Sequence, residues 1–313
     1  MLERDELEHL RRIAFTLEQQ RAWEAPVDSG LSLHLFVEAA RRAYAERRAV
    51  GADPDFVPRE AHDRELARLL DGAYLAARKP PIDRDHATPS SAIAPAADPG
   101  TESPQTTHFS VVDAEGNAVS CTTTQSAGFG SKIVIPGTGL LLGNALGGFS
   151  ANGPNVVASG KRMASSMAPA VVSQGGRLVA VIGSPGGDTI PNTVAQVLRN
   201  LVDYGMTIDE AVAHGRVHHQ FLPDKVRVEK GNPPPRAALD DLVRRGHVID
   251  LDATPLGDAN DLVVDAAGVA WGYSDTREGG IALGLEQPPG DSGKGAEPVK
   301  KPRAGRSKPT PRR

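Results

Sequence analysis

The chain has 313 residues and a net charge of −4, which is long enough for one large domain or two smaller ones. Aromatic residues make up only 4% of the sequence, so a core must be built mainly from Ala, Val, Leu and Ile. A single cysteine, Cys121, excludes an internal disulfide framework and a cysteine-rich zinc site. No apolar run of about 18 residues predicts a membrane span, and the charged start MLERDELEHLRR lacks the apolar stretch of a secretory signal peptide.

The first 78 residues are predicted to be helical. Apolar residues recur at helical spacing over 1–22, over the stretch that follows Gly30, and over 60–77. The segment AVGADPDFVP, with its glycine and prolines, ends the second helix. Residues 79–105 then contain six prolines among small and polar residues. This composition predicts a long flexible linker, which inside a compact protein is usually functional or disordered.

Residues after the linker are predicted to form strands and helices in loose alternation. THFSVVD and AVSCTTTQ alternate in hydropathy on either side of the turn AEGN, so they predict a β-hairpin in which Cys121 packs as a strand residue. Further strands are predicted at 178–184, 225–229, 247–251, 261–265 and 269–274, and further helices at 190–204, 208–217 and 237–245. This order is typical of a layered α/β or α+β domain.

The C-terminal tail differs from the rest in charge. Residues 287–313 hold eight Lys and Arg against two acidic residues, a local charge of +6 that leaves −10 on residues 1–286. With its Pro and Gly content, the tail cannot bury enough apolar surface to fold, so it is predicted to be a disordered, solubilising end. A basic tail also binds nucleic acid or anionic lipid in some proteins. No aromatic residues interleave with these charges, so stacking on bases is not expected.

Thr106 stands where the predicted linker meets the first strand of the hairpin. If the chain is cut before Thr106, this residue gains a free α-amino group, which titrates near pH 8 and is therefore partly a neutral base at physiological pH. One residue would then supply both a nucleophilic hydroxyl and the base that activates it. Strands also begin with threonine for purely structural reasons, and the residues alone leave both interpretations open.

Several motifs occur in a fixed order after this point. They are TTHFSVVDAEGNAVSCTTT, FGSKIVIPGTGLLLGN, KRMASSMAPAVV, GSPGGDTI, RVHHQFLPDKVRVEKG and GYSDTREGG, preceded upstream by FVEAARRAYAERRAVGADPDFV. Over residues 1–283 the chain resembles the γ-glutamyltransferase (glutathione hydrolase) family, in the C-terminal part of its large subunit and in its small subunit. The resemblance implies an α+β fold, the αββα sandwich of N-terminal-nucleophile hydrolases, which we expect to be incomplete at its N-terminal side.

The resemblance also divides the chain into four parts. Residues 1–78 are expected to be a helical remnant of the large subunit, and 79–105 a flexible linker with the cleavage site before Thr106. Residues 106–286 are expected to form the catalytic domain, and 287–313 the disordered basic tail.

The resemblance assigns catalytic roles to four residues. Thr106 is expected to release itself by cleavage of the Gln105–Thr106 bond and then to attack an amide carbonyl, forming an acyl-enzyme. Thr124 is expected to hydrogen-bond to this nucleophile. Gly186 and Gly187 are expected to offer backbone N–H groups to the oxyanion, which suits a turn between a strand and a helix N-terminus. An ordinary strand-to-helix turn has the same pattern, and the turn lacks the Lys and Ser/Thr of a phosphate-binding loop.

The resemblance also assigns substrate-binding residues. Ser165 and Ser166 are expected to bind the α-carboxylate of a glutamyl group, with Thr124, Ser126 and Gly187 completing the substrate site. No metal and no organic cofactor is implied. The expected partners are a small γ-glutamyl or acyl-amide substrate and an upstream large-subunit segment, with no nucleic acid. Full-length relatives are often periplasmic or secreted.

Three positions depart from the family pattern. Ser126, Ala145 and Gly148 stand where the family has amide or carboxylate side chains that hold the α-ammonium group of the substrate. A buried ammonium group without partners is strongly disfavoured. We therefore expect acyl groups that lack the amino group, such as glutaryl, to be preferred, as in the cephalosporin-acylase relatives.

The sequence leaves two functions open. The first is a γ-glutamyltransferase-like amidase or acyltransferase with a threonine acyl-enzyme. The alternative is a truncated, non-catalytic remnant or partner subunit of the same family, because the family's upstream segment, which supplies strands and a substrate-binding arginine, has no counterpart that can be assigned here.

His214 and His218 raise a separate hypothesis. They lie four residues apart in a predicted helix, with His219 beside them, and this spacing is found in zinc sites. No third and fourth ligands are evident, so structural packing of these histidines is the alternative.

Overall fold

The computed structural model describes residues 4–78, 80–94, 105–252 and 254–284. Residues 1–282 form one compact unit, and 283–313 form a second, of which only the first two residues are described. The predicted basic tail at 287–313, and residues 79 and 95–104 of the predicted linker, lie outside the described residues. The prediction of disorder for the tail therefore stays a prediction.

The helices are α1 (Arg4–Gln19), α2 (Gly30–Val50), α3 (Arg59–Leu69), α4 (Gly72–Ala77), α5 (Ser90–Ile93), α6 (Ile190–Val202), α7 (Ile208–Ala213) and α8 (Arg236–Arg244). The strands are β1 (Thr106–Val112), β2 (Ala118–Thr124), β3 (Ala170–Gln174), β4 (Arg177–Ile182), β5 (Val217–His218), β6 (Val226–Glu229), β7 (Ile249–Asp252), β8 (Asn260–Val264) and β9 (Ala270–Ser274). None of the helices in the described residues offers an apolar stretch long enough to cross a membrane.

The predicted upstream helices are confirmed, with one division. Ser29 caps α2 by accepting a hydrogen bond from the Ser32 N–H, which starts the helix at Gly30. The helix predicted over 60–77 is two helices instead, because the Asp71 side chain accepts from the Tyr74 N–H and begins α4 as a new helix. Because the hydropathy pattern continues across this cap, nothing in the sequence indicated that α3 and α4 are separate helices.

The core is a helical layer on one sheet. Among the described residues, β3, β4, β8 and β9 form an antiparallel four-stranded sheet in the order β3-β4-β8-β9. Ala180 and Ile182 of β4 share a buried apolar cluster with Val194 and Val197 of α6. The central helix α2 packs against α1 and α8 and contributes Phe36 to the same cluster. Burial of this apolar surface is the main force that holds the layers together.

The predicted hairpin is confirmed and lies on the four-stranded sheet with its polar side inward. β1 and β2 pair in antiparallel register from Thr106↔Thr124 to Val112↔Ala118. On the inner side, Ser110 Oγ donates to the Val181 carbonyl at 3.3 Å and Ser120 Oγ to the Ile182 carbonyl at 2.8 Å. On the outer side, three apolar side chains are 45 to 51% exposed: Phe109, Val111 and Val119. We call these three residues the outer hairpin face.

The helix predicted over 208–217 is shorter than expected. α7 ends at Ala213, and Val217–His218 form β5, which pairs with β6; β6 in turn pairs with β7 in parallel. Gly215 lies between them, where an added Cβ would come within 3.0 to 3.2 Å of the 232–234 backbone, so this close packing of backbone on backbone needs a glycine. His214 and His218 therefore do not share a helix face.

The zinc hypothesis for these histidines is wrong. His214 Nε2 bonds Asp28 at 2.8 Å, His218 Nδ1 bonds the Asn192 amide at 2.9 Å, and His219 Nε2 bonds Asp224 at 3.2 Å. Each ring points to a different partner, which is the structural packing that the sequence analysis gave as the alternative.

Candidate active site

Thr106 is the first residue of β1 and faces Thr124, the last residue of β2. The Thr106 hydroxyl donates to Thr124 Oγ1 at 3.1 Å, and the Thr124 hydroxyl donates to the Gln105 carbonyl at 2.9 Å. The Ser126 N–H donates to the same Thr124 oxygen at 2.9 Å. Thr124 thus holds the hydroxyl of Thr106 and the carbonyl of the peptide bond that precedes Thr106.

The Gly186–Gly187 turn follows β4 and leads into α6. Gly186 has φ 130° and Gly187 has φ 59°, both in the region that side chains disfavour. A Cβ at Gly186 would overlap Thr189 Oγ1 and lie 3.1 Å from the Gly257 Cα. The turn precedes a helix, so its N–H groups lie where an anion is favoured. Tyr44 of α2 donates a hydrogen bond to the Asp188 carbonyl and fixes the turn from the other side.

His108 and Asp261 both contact Gly183, just before this turn, and neither was predicted as a site residue from the sequence. A Cβ at Gly183 would overlap the His108 ring, 2.5 Å from Nδ1. The Gly183 N–H also donates to Asp261 Oδ1 at 2.8 Å. On the inner side of β1, Ser110 contacts Val181 and His108 contacts Gly183. Toward Thr106, the strand therefore runs alongside the residues that lead to Gly186.

The His108 ring is held in its neutral form. Burial lowers its pKa to about 4. Its two ring nitrogens bond Thr122 Oγ1 at 2.8 Å and Ser110 Oγ at 3.1 Å. Burial also raises the pKa of Asp261 well above its usual range, although the Gly183 N–H opposes that shift. Neither side chain touches a predicted reacting atom, so both are positioning residues.

The two predicted carboxylate-binding serines lie beside the turn. The buried Ser166 hydroxyl donates to the Gly187 carbonyl at 2.8 Å, which fixes the turn from the side of residues 161–167. Ser165 Oγ accepts from the Met167 N–H at 3.1 Å and keeps its own proton as a donor. The structure thus places Ser165 and Ser166 next to Gly187, and it uses one of the two hydroxyls to hold that glycine.

The 145–148 turn connects the end of β2 to residues 161–167, which we call the serine segment. The Asn144 N–H donates to the Gln125 carbonyl at 2.8 Å, directly after Thr124. The Asn155 side chain then bridges the Gly148 carbonyl, at 3.0 Å, and the Ala164 N–H, at 2.9 Å. A connected series of hydrogen bonds therefore runs from the residue after Thr124, through Asn144 and Asn155, to the segment that holds Ser165 and Ser166.

Asp53, which lies before the predicted linker, binds the serine segment through Arg162. The Arg162 N–H donates to Asp53 Oδ2 at 2.8 Å, and its guanidinium donates to Asp53 Oδ1 at 2.7 Å. The hydrogen bonds from Arg162 hold the pKa of the Asp53 carboxyl well below its usual range. The helical region before the linker and the serine segment are therefore held together by a charge-assisted contact.

His34, Glu38 and His247 have the spacing of a metal site, because their ligand atoms lie within 4.8 Å of one another and all three are buried. Arg41 Nη2 lies 3.3 Å from His247 Nδ1. A guanidinium only donates, so Nδ1 is an acceptor and the His247 proton is on Nε2, which donates to His34 Nδ1 at 2.8 Å. His247 Nε2 and His34 Nδ1, which could otherwise bind a metal, are therefore joined by a hydrogen bond.

The Glu38 carboxylate is already paired at this place. Burial raises its pKa, but Arg41 and Arg42 outweigh that effect, so its pKa lies below the usual value and its charge is balanced by the two guanidinium groups. Glu38 Oε1 also accepts from the Thr88 N–H at 3.1 Å. The His34 ring bonds the Asp83 carbonyl at 2.7 Å. These residues do not fit a metal; they form a buried network that holds residues 83–88 of the predicted linker on α2.

A cavity of about 330 Å³ lies elsewhere, between α2, α3 and α4. It contains none of the predicted site residues; its charged and aromatic lining residues are Arg42, Glu46, Glu65, Arg68, Tyr74 and Arg78. Arg78 pairs with Glu46 at 3.0 Å, and Arg68 pairs with Glu65, so much of this charge is already neutralised.

The sequence profile of the family described as Gamma-glutamyltranspeptidase matches residues 8–285. The chain belongs to the γ-glutamyltranspeptidase family. It is similar to the glutathione hydrolase proenzyme of Pseudomonas aeruginosa, with 36% identity over 82% of this chain, and to that of Escherichia coli, with 38% identity over 86%. It spans 47% of the length of each of these relatives. The Acylase ACY 1 proenzyme of Pseudomonas sp. strain SE83 is 32% identical over 81% of this chain and 44% of its own length.

The fold of this γ-glutamyltranspeptidase family member is similar to that of two solved structures. A γ-glutamyltranspeptidase variant from Pseudomonas nitroreducens aligns with TM-score 0.54 and 34% identity, over 58% of this chain and 100% of that chain. The cephalosporin acylase from Bacillus halodurans aligns with TM-score 0.69 and 25% identity, over 86% of this chain and 48% of that chain. The α+β fold of N-terminal-nucleophile hydrolases is thereby confirmed.

Proposed function

We propose that this chain carries the catalytic machinery of an N-terminal-threonine amidase and acyltransferase that acts on γ-glutamyl or related acyl amides. The observation that carries the proposal is the arrangement of Thr106, Thr124 and the Gln105 carbonyl. One hydroxyl is oriented by Thr124, and the neighbouring carbonyl accepts a hydrogen bond from the same side chain. The relatives named glutathione hydrolase and acylase proenzymes support the same reaction class.

The first step of the proposal is self-cleavage. Thr106 Oγ1 attacks the Gln105 carbonyl carbon, and the Thr124 hydroxyl stabilises the charge that develops on the carbonyl oxygen. The C–N bond breaks as the nitrogen takes up a proton, which leaves Gln105 esterified to the threonine oxygen. Water then hydrolyses the ester, which releases the Gln105 carboxylate and restores the Thr106 hydroxyl beside its free α-amine.

The second step is turnover of an amide. The free amine of Thr106 takes the hydroxyl proton, and the oxygen attacks the substrate carbonyl. The N–H groups of Gly186 and Gly187 stabilise the oxyanion, and the amine leaves with the proton. The acyl-enzyme is then resolved by water, which is hydrolysis, or by an amine, which is acyl transfer. None of these steps requires a metal or an organic cofactor.

Intact-mass analysis of purified protein tests the first step. We expect two pieces, the heavier one beginning at Thr106. A Thr106→Ala variant should remain a single chain, because it lacks the attacking oxygen. Thr107→Ala is the matched control, since Thr107 is the adjacent residue of the same strand and its side chain is exposed; it should be cleaved normally. A folded wild-type protein that stays whole would remove the catalytic base and refute the proposal.

A second observation bears on what the chain needs in order to work. The outer hairpin face is apolar and exposed, and β1 and β2 pair only with each other among the described residues. A two-stranded hairpin is marginally stable, and open strand edges invite pairing with other chains. We propose that an upstream large-subunit segment covers this face, and that the chain alone is a partner subunit with little activity.

Expression of residues 1–313 alone, and with an upstream large-subunit segment supplied in cis or in trans, tests this second proposal. We expect the segment to raise amidase activity and to convert a self-associating protein into a monodisperse particle by light scattering. Robust activity from a monodisperse isolated chain contradicts the need for the partner and leaves the cleavage proposal intact.

A further inference from the structure

Gly148, in the 145–148 turn, lies against the side chain of Met163. A Cβ at Gly148 would overlap Met163 Sδ and lie 2.8 Å from Cε and 3.6 Å from Cγ. The thioether of Met163 therefore covers the Gly148 backbone at contact distance. A longer side chain at position 148 fits only if the Met163 side chain moves.

Hydrogen bonds connect the segments that hold Gly148 and Met163 to the end of β2 and to the Gly186–Gly187 turn. Asn155 bridges the Gly148 carbonyl to the Ala164 N–H, directly after Met163. Two residues further along, the Ser166 hydroxyl holds the Gly187 carbonyl. On the other side, Asn144 at the start of the 145–148 turn bonds the residue that follows Thr124. The contact, which we call the Gly148–Met163 wall, is therefore linked by hydrogen bonds to the residue after Thr124 and to the Gly186–Gly187 turn.

Within the chain segment that contains this contact, the charged residues are all basic. Residues 116–187 contain no Asp and no Glu, and they contain four basic residues: Lys132, Lys161, Arg162 and Arg177. This range includes β2, the 145–148 turn, the serine segment and the Gly186–Gly187 turn. Arg162 is already bound to Asp53 and Asp55, and Lys161 donates to the Pro154 carbonyl at 2.6 Å. The segment that contains the contact therefore offers no carboxylate of its own to an ammonium group, and the nearby Asp53 carboxylate is already paired with Arg162.

We propose, resting on the function proposed above, that Met163 is a specificity-determining residue and that the acyl group is a dicarboxylic acid half-amide without an α-amino group, of which glutaryl is the representative. The distal carboxylate lies at Ser165 and Ser166. The methylene next to it lies against the Met163 thioether, where a γ-glutamyl group would place its charged ammonium. Burial of an unpaired ammonium against a thioether is disfavoured, and burial of a methylene is favoured.

The wild-type test compares kcat/KM for glutaryl p-nitroanilide and L-γ-glutamyl p-nitroanilide, in the preparation that shows turnover. We expect glutaryl to be preferred by roughly 10-fold or more, the size of one lost charged hydrogen bond. Butyryl p-nitroanilide, which lacks the distal carboxylate, should be turned over less well than the glutaryl compound. A preference for γ-glutamyl overturns the inference.

Variants test whether Met163 itself sets the preference. Gly148→Asp alone should impair both substrates, because the new side chain collides with Met163. Gly148→Asp combined with Met163→Ala should move the ratio of kcat/KM values toward γ-glutamyl by roughly 10-fold, because the carboxylate can then pair with the ammonium. Met163→Leu is the volume-conserving control and should keep the wild-type ratio. An unchanged ratio in the double variant, with normal cleavage before Thr106, overturns the role of Met163.

Binding separates this inference from the function on which it rests. Calorimetry on the cleaved wild-type protein should show tighter binding of glutarate than of L-glutamate, with the order reversed or lost when Gly148→Asp and Met163→Ala are introduced. Absence of turnover on every anilide, together with this binding order, refutes the proposed function and supports the inference about the wall. Equal binding of the two acids to the cleaved wild-type protein refutes the inference.

Discussion

On one side of the candidate site, Thr106, Thr124, Gln105 and Ser126 are joined by three hydrogen bonds of 2.9 to 3.1 Å. On the other side, Met163 covers Gly148, and no carboxylate occurs anywhere from 116 to 187. In the function proposed above, the first side carries the attack on the amide bond and the second side meets the acyl group. Under that proposal, reaction chemistry and substrate choice lie on separate structural elements, which can be changed independently by mutation.

Replacement of Gly186 by alanine should have the largest effect. Its φ of 130° is unfavourable for alanine, and the added Cβ would overlap Thr189 Oγ1. Displacement of the turn removes oxyanion stabilisation, so we expect kcat to fall by about 10²- to 10³-fold. Gly153→Ala is the matched control, because Gly153 also has a positive φ, 84°, but nothing lies within 4 Å of its added Cβ. Normal kcat in Gly186→Ala would show that the turn is not the oxyanion site.

Thr124→Val should slow self-cleavage by about 10²-fold, since it removes the donor to the Gln105 carbonyl and the acceptor of the Thr106 hydroxyl while conserving shape. A mass-spectrometric time course after refolding measures the rate. Thr123→Val changes the neighbouring exposed residue of the same strand and should leave the rate unchanged. Equal rates for the two variants would place the cleavage chemistry elsewhere.

Stability should fall as the pH drops from about 6.5 to about 4. His108 has a folded-state pKa of about 4 against an ordinary value of 6.5, so in this window the unfolded chain binds more protons than the folded one. At full effect the shift corresponds to about 3 kcal/mol. Carboxylates titrate in the same range, so urea midpoints should be compared between wild type and His108→Gln, whose pH dependence should be flatter. His86→Gln, at an exposed histidine, should leave the slope as in wild type.

The smallest effect is expected on the outer hairpin face. Val111→Thr should change the free energy of unfolding by no more than about 0.5 kcal/mol, because Val111 is half exposed. Val181→Thr, the same change at a fully buried position of β4, should destabilise by about 1 to 3 kcal/mol. Denaturant titration measures both. If Val111→Thr destabilises the isolated chain as much as Val181→Thr, the face is already covered by another copy.

Much of the fold was predictable because it depends on local patterns. Hydropathy alternation around a four-residue turn predicted the hairpin, and helical spacing predicted α1, α2, α6 and α8 within a few residues. The predictions were wrong where one side chain overrode the pattern, as Asp71 does by capping α4, or where packing ended a helix, as at Gly215. β3, a short strand of mixed polarity beside two glycines, gave no signal strong enough to predict.

The sequence by itself determined that Thr106 begins a strand after a proline-rich stretch, that two glycines follow a buried strand, and that the ordered motifs are those of the γ-glutamyltranspeptidase family. Each of these is a property of adjacent residues. Only the tertiary structure decided that His108 packs on Gly183, that Tyr44 holds the turn from α2, and that Met163 fills the space over Gly148. These contacts join residues far apart in the chain. They depend on how side-chain volumes fit when layers close-pack, which periodicity and spacing do not encode.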